Sequence, residues 1–589
     1  MNLINFLKQT DALTAQYSKE QLTAFIHDIG RVLPEYRRED FLERLKSAGE
    51  NTETASNKNK VQNIEFNEMY VHVRNNLKII DSQEVVIDSI LNEEYDDWYN
   101  SSCEEFYYED NDGISEMLAE ACDFVHTCMD VERYKEGFEV GNQMFFMEIL
   151  CVSDYGDEEL SLGDMVYHEL LHCNLKQVIL DTAYCAYHAV PLKKRSEALY
   201  KVIVNAAKTE ITLETIMQHG SEELPDFQDF LILWIMYLGN KAERAADRLF
   251  LEAVGLLDDV SLAVQYAEEY VAIHPELYLS ILENAKYTAV KDMVSIGMKA
   301  METIPKKYVV RSRVALKTAE YIIEAKEEPD LLEKCYFAAY ESDTSAVNYL
   351  RVLLNGYGTK EKREELQKIF MKLSVHKSGN SFDMYERGCS YSEREENKPD
   401  SNMILLLRFL DGQFEDVLEK GLNPSKALGW TGTFMKQRIA LYLLYLYEGQ
   451  WSGKGITAMA GIVKGAMGFS AEGYNKGIYG LNGINEDDLF YQLFKKWKSM
   501  VQMEPEVRNR AIKRITDLLE MRTEGIMDAS RRNYYGECAA YIAALGEVQE
   551  SLGEIGAKQR LMTSYKDKYF RRNAFRREMR NYGWIDAKK

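Results

Sequence analysis

Along residues 308–340, apolar side chains recur at intervals of three and four, stop at a proline, and then resume. Val310, Val314, Thr318, Tyr321, Ile322 and Ala325 make one stripe. Leu331, Leu332, Cys335, Tyr336 and Ala339 make a second, beyond Pro329. A period of three to four places such residues on one helix face, and proline cannot continue a helix interior. The segment therefore predicts two amphipathic helices joined by a short turn, a helical hairpin. The same plan recurs along most of the chain. The 9 prolines (34, 191, 225, 275, 305, 329, 399, 424 and 505) fall mostly between periodic stretches. A lone hairpin cannot bury its stripes, so hairpins stack on one another. The expected fold is all-α: an α-solenoid of degenerate, tetratricopeptide-like hairpins with no substantial β-sheet.

Local composition marks the expected divisions. Residues 1–49 read as a helical segment. Residues 50–63 (ENTETASNKNKVQN) are polar and aperiodic, and read as a linker. A helical region at 64–190 carries an acidic–aromatic loop at 93–112, which holds nine acids, six aromatics and no base. A repeat solenoid follows at 191–375, then a loop at 376–402, then further repeats at 403–589. Within the last region, residues 449–483 hold 10 of the 35 glycines, and Gly461 and Gly465 suggest a close-packed helix before a flexible excursion. In the stretch 534–554, Ala539, Ala540, Ala543, Ala544 and Gly546 keep a helix slim enough for a neighbour to approach closely.

Charge and composition exclude several classes. The 95 acidic and 71 basic residues of the 589 leave a net charge of −24, so the surface as a whole repels nucleic acid. Residues 558–589 are the exception, with 11 Lys/Arg against 3 Asp/Glu. The longest apolar runs, 230–238 and 439–447, are far shorter than the roughly 20 residues that span a bilayer. The start of the chain lacks a basic stretch followed by an apolar core, so no secretory signal is expected. The 9 cysteines form no CxC or CxxC pair, which fits buried thiols in a reducing, cytoplasmic setting.

Three strings carry a family resemblance: AAYESDTSAVNYLRVLL (338–354), FLDGQFEDVLEKGLNPSKALGW (409–430), and GECAAYIAALGEV with YFRRNAFRREMRNYGW (536–584). With them, the region from about residue 200 to 589 resembles the helical part of bacterial SWIM zinc-finger proteins and related uncharacterised Firmicute proteins. The CxC and CxH of the finger itself are absent. The resemblance implies a helical-repeat scaffold without its zinc finger, and assigns no activity.

Four motifs bear on chemistry. His168-Glu169-Leu170-Leu171-His172 matches H-E-x-x-H, which on a helix sets two imidazoles on one face for zinc, with Glu169 as the base. No third ligand is fixed by spacing, and no strand is evident nearby. The helix also makes sense without metal. Ser161 and Asp164 form a capping-box start, and Leu162, Met165, Val166, Leu170 and Cys173 form its buried stripe. Trp98, Tyr99, Glu104, Glu105 and Tyr107 form an acidic–aromatic surface suited to a basic peptide. The GQWSGKG run at 449–455 falls one residue short of a phosphate-binding P-loop and lacks the Ser/Thr after Lys454. Finally, Arg571, Arg572, Arg576 and Arg577 alternate with aromatics. They suit either nucleic acid or, as favoured here, the capping of a solenoid by inward-packed Tyr569, Phe570, Phe575 and Trp584. The remaining histidines (27, 72, 126, 219, 274 and 376) form no local cluster.

The expected function is a non-enzymatic scaffold for a protein or peptide partner, with no cofactor and no membrane. A zinc hydrolase built on His168, Glu169 and His172 is the first alternative. A nucleic-acid-associated protein acting through the basic end is the second.

Overall fold

The computed structural model describes residues 55–91, 106–205, 211–371 and 396–586 apart from short gaps, together with a few positions between 17 and 26. The chain divides into two compact units, Met1–Leu256 and Leu257–Lys589. Helices packed on their sequence neighbours make up nearly all of both, so the fold is all-α and repeat-like. No helix among the described residues is long and apolar enough to cross a membrane.

The first unit runs α1 (Ala55–Asp81), β1 (Ile87–Leu91), β2 (Phe106–Glu109), α2 (Ile114–Asp130), α3 (Tyr134–Phe146), β3 (Ile149–Val152) and β4 (Glu158–Leu160). It continues through α4 (Leu162–Tyr167), α5 (Leu175–Ala189), α6 (Leu192–Asn205), α7 (Leu213–His219), α8 (Phe227–Gly239) and α9 (Arg244–Gly255). Residues 55–63, expected as linker, are instead the opening turns of α1. They contain no Gly or Pro, and a helix anchored by Val73, Leu77 and Ile80 in the core extends at the gain of one hydrogen bond per residue.

The four strands form one small sheet in the order β2-β1-β3-β4, with β1 parallel to β3 and both outer pairs antiparallel. Strands of three to five residues are too short to register as alternation, so none was legible in the sequence. Part of the expected acidic–aromatic loop is therefore strand β2. The expected boundary at residue 191 also moves. The unit closes at residue 256 because α5 packs on α2 and α3, α6 packs on α5, and α8 joins α6 to α9.

The second unit begins with α10 (Val260–Glu269), α11 (Leu277–Glu283), α12 (Val290–Thr303), α13 (Val310–Ala325), α14 (Pro329–Ser342), α15 (Ala346–Val352) and α16 (Lys360–Met371). After residue 396 come α17 (Ser401–Leu410), α18 (Phe414–Gly421), α19 (Met435–Leu446), α20 (Lys454–Ala466), α21 (Ala471–Asn475) and α22 (Glu486–Met500). It ends with α23 (Pro505–Asp528), α24 (Tyr535–Ser551), α25 (Ala557–Lys568) and α26 (Asn573–Asn581).

The hairpin expected at 308–340 is α13 and α14. Val310, Val314, Thr318 and Ile322 are buried against Cys335, Tyr336 and Ala339. The slim stretch at 534–554 is α24, against which α19, α20, α23, α25 and α26 all pack. The close approach to α20 occurs at Gly455, where an added Cβ would lie 2.3 Å from the Ala544 amide nitrogen. Gly461 and Gly465 have nothing within 4 Å of that position, so they are not the packing glycines the sequence suggested. Residues 1–49, apart from those few positions, and 372–395 of the expected loop lie outside the described residues.

Candidate functional site

The H-E-x-x-H segment begins as expected and then departs from a helix. The Ser161 side chain accepts from the Asp164 amide, and Asp164 accepts from the Ser161 amide at 2.9 Å, a reciprocal capping box. The helix then stops at Tyr167. The Leu170 amide donates to the Met165 carbonyl and the Glu169 amide to the Val166 carbonyl, while Glu169 sits in the left-handed region at φ 60°. This is a Schellman end with glutamate in the position usually held by glycine. It buries Leu171 and packs Leu170 and Cys173 on the core that holds Leu162 and Met165. His168 lies against the Tyr108 ring at 4.3 Å, whereas Glu169 and His172 are exposed. The two histidines therefore do not share a continuous helical face, which corrects the expected geometry. The sheet that the sequence concealed is close by, since β4 leads directly into α4.

The fold does gather two of the histidines that seemed scattered. Asp181 on α5, 1% exposed, accepts from His126 Nδ1 at 3.0 Å, His219 Nε2 at 2.5 Å and Gln177 Nε2 at 3.2 Å. One buried carboxylate thus ties α2, α5 and α7 together. Burying a charge is tolerable only with partners of this kind.

Helix starts in both units are capped in a way that no local pattern announces. Glu252 of α9 accepts from the Leu213 and Glu214 amides at the start of α7. Burial raises its carboxyl above the ordinary value. In the second unit, Glu547 of α24 accepts from Gly455 N at 3.2 Å and Ile456 N at 2.8 Å, and its Oε1 pairs with Lys558 Nζ at 2.6 Å. That is the P-loop-like GQWSGKG run. Its helix N-terminus presents amides to an anion, and the protein's own carboxylate fills the place. An added Cβ on Gly453 would lie 2.3 Å from Glu547 Oε2, so the glycine makes room for the carboxylate.

At the basic end, Phe575 and Trp584 are buried with Tyr535, Met562 and Met579, and Tyr569 packs against the same cluster. Phe570 remains 57% exposed. Arg572 donates to the Met527 carbonyl at 2.6 Å and to Ser530 Oγ, and Arg576 donates to the Phe570 carbonyl. Arg571 and Arg577 are exposed. Two of the four arginines therefore close the last helices, mainly through backbone carbonyls. Tyr107 is half-exposed on β2, while Trp98, Tyr99, Glu104 and Glu105 lie outside the described residues.

The second unit also holds a groove of about 320 Å³ between α12, α13, α14 and α16. Met298, Met301 and Phe337 line it together with the charged Arg311, Glu341 and Lys334. Arg311, 6% exposed, donates to the Met301 carbonyl at 2.7 Å, Ser342 Oγ at 2.9 Å and Glu341 Oε2 at 3.2 Å. Lys306 holds the other Glu341 oxygen at 2.9 Å. Burial lowers the Arg311 guanidinium below its usual value, and Glu341 opposes that shift. This groove left no mark in the sequence beyond Arg311 next to Val310 of the α13 stripe.

No family model matches the chain, and no curated protein matches it. Among solved structures, it is similar to one described as a circular tandem repeat protein with novel repeat topology and enhanced subunit contact surfaces. The identity is 10% over 88% of this chain and 96% of that one, and the TM-score is 0.16.

Proposed function

We propose that the chain is a non-enzymatic helical-repeat scaffold that binds a protein partner through a short peptide segment. The supporting observation is the groove of the second unit, lined by Met298, Met301 and Phe337 together with the ion-paired Arg311, Glu341 and Lys306. Thioether side chains adapt to varied apolar surfaces, which suits Met298 and Met301 to a peptide side chain. Because Arg311, Lys306 and Glu341 already satisfy one another, affinity rests on the apolar side chains and the charged ones set orientation. The scaffold reading agrees with the resemblance of residues 200–589 to the helical part of SWIM proteins. It assigns no zinc to His168 and His172, and no polyanion to the basic end, where Arg572 and Arg576 are engaged internally.

Selection of a displayed peptide library against the full chain tests the reading. Enriched peptides should carry a large apolar residue and should lose at least about tenfold in affinity, a ~1.4 kcal/mol change, on Met298→Glu. A second variant, Lys334→Glu, should shift the preferred flanking charge. Equal binding to wild type and Met298→Glu, with unchanged melting of both, would overturn the assignment of the groove.

A further inference from the structure

A second cavity in the second unit, of about 400 Å³, lies between α16, α17 and α18. Lys368 of α16, Arg408 of α17, and Asp416 and Lys420 of α18 line it. Three cations against one carboxylate leave a surplus of two positive charges, on a chain whose net charge is −24. Asp416 is shared between two of them. Its Oδ2 accepts from Arg408 Nη1 at 2.5 Å, and its Oδ1 pairs with Lys420. Lys368 and Lys420 are exposed.

Arg408 is poorly satisfied for a side chain only 20% exposed. Its Nη2 donates to Met371 Sδ at 3.9 Å, and its Nε, sealed from solvent, has no acceptor among the described residues. A thioether is a weak acceptor, so the five N–H donors of the guanidinium share one strong partner. Buried donors are nearly always matched, and one left over marks the place of a missing acceptor. Gln367 and Gln413 also line the cavity, but both direct Nε2 to Asp411, at 3.0 and 2.7 Å. The charged groups are thus the donors open to a ligand.

We propose that this cavity binds a phosphate monoester. A monoester carries roughly −1.5 to −2 near neutral pH, which matches the surplus of two, whereas a carboxylate would offset only one. Its oxygens replace Met371 Sδ against Arg408, in the two-point geometry that a guanidinium offers an oxyanion, and Lys368 and Lys420 flank them as point charges. Asp416 keeps its hold on Arg408 Nη1, so no ion pair has to break. The cavity is distinct from the peptide groove, although α16 borders both: Glu365 and Ile369 line the groove, and Gln367, Lys368 and Met371 line the cavity.

Titration calorimetry on the full chain at low ionic strength tests this. The probes are glycerol 3-phosphate, inorganic sulfate, and a phosphoserine peptide paired with its serine form. The two monoesters should bind one per chain and weaken as salt is added. Their affinity should rise several-fold between about pH 5 and about pH 7 as the second phosphate proton leaves, and that of sulfate should not. Among the described residues no histidine lines the cavity, so the gain belongs to the ligand. Lys368→Ala and Lys420→Ala should each weaken binding about threefold or more, and Arg408→Lys about tenfold although it keeps the charge. If Arg408→Lys melts lower than wild type, the two exposed lysines still decide. Tighter binding of the phosphoserine peptide than of glycerol 3-phosphate assigns the ester to a protein partner, and equal binding assigns it to a small molecule; both uphold the site. Equal affinity for the phosphoserine and serine peptides, or monoester affinity unchanged in both lysine variants, would overturn the proposal.

Discussion

Replacing Glu547 with alanine should destabilise the second unit severely, by an amount the structure allows to be worked out. The carboxylate is 6% exposed, accepts two backbone amides at the start of α20, and pairs with a Lys558 side chain that is 14% exposed. A hydrogen bond to a charged group is worth roughly 1.5–3 kcal/mol, and removing one partner of a buried ion pair costs about 3–5 kcal/mol. The contributions overlap because they share one carboxylate, so the expected loss is about 3–5 kcal/mol in total. Gly453→Ala should reach much of that loss by another route. Gly453 has φ −74° and ψ 138°, which alanine adopts freely, so its cost comes from the methyl displacing the carboxylate. The two substitutions should then be strongly sub-additive, because once the carboxylate is gone the methyl has room. Sulfate should restore the Glu547→Ala midpoint in urea denaturation more than it raises that of wild type, by occupying the vacated amides. Additive losses in the double variant, or a Glu547→Ala loss below about 1 kcal/mol, would refute the assignment of this contact as the dominant cap.

Three further outcomes follow from particular contacts. Glu169→Gly should raise stability by about 1 kcal/mol in thermal or urea unfolding, because it removes a side chain from a left-handed position; a loss would show that the glutamate is doing something there. Burial raises the Glu252 carboxyl above 4.5, so between that value and its raised one the folded state holds more protons than the unfolded. Its contribution to stability therefore rises as pH falls towards 4.5, and subtracting the Glu252→Gln profile of urea midpoints from that of wild type isolates this slope. Trp584→Ala should cost about 3–5 kcal/mol, since the indole is 4% exposed and donates to Thr563 Oγ1 at 3.2 Å. Retained melting in that variant would remove the C-terminal segment from the core.

Regular periodicity and punctuation were legible without a structure. The α13–α14 hairpin, the slim α24, the capping box at Ser161 and the break at Pro329 all follow from side chains within a few residues of each other. Such features depend on local sterics and on a helix showing one face to a neighbour, and both are written into spacing. What lay beyond the sequence depended on distant partners. The α4 helix ends at Tyr167 because Leu171 gains more by turning into the core than by continuing the helix, and that choice needs the core to exist. Asp181 collects His126 and His219, and Glu547 fills a glycine-rich helix start, through contacts between residues far apart in the chain. Strands of three to five residues became a sheet only once flanking helices supplied a surface to pack on. Local sequence thus determined that this chain is a succession of helical hairpins. The tertiary structure decided which helix ends and charges meet, because their desolvation is compensated only by partners that folding brings to them.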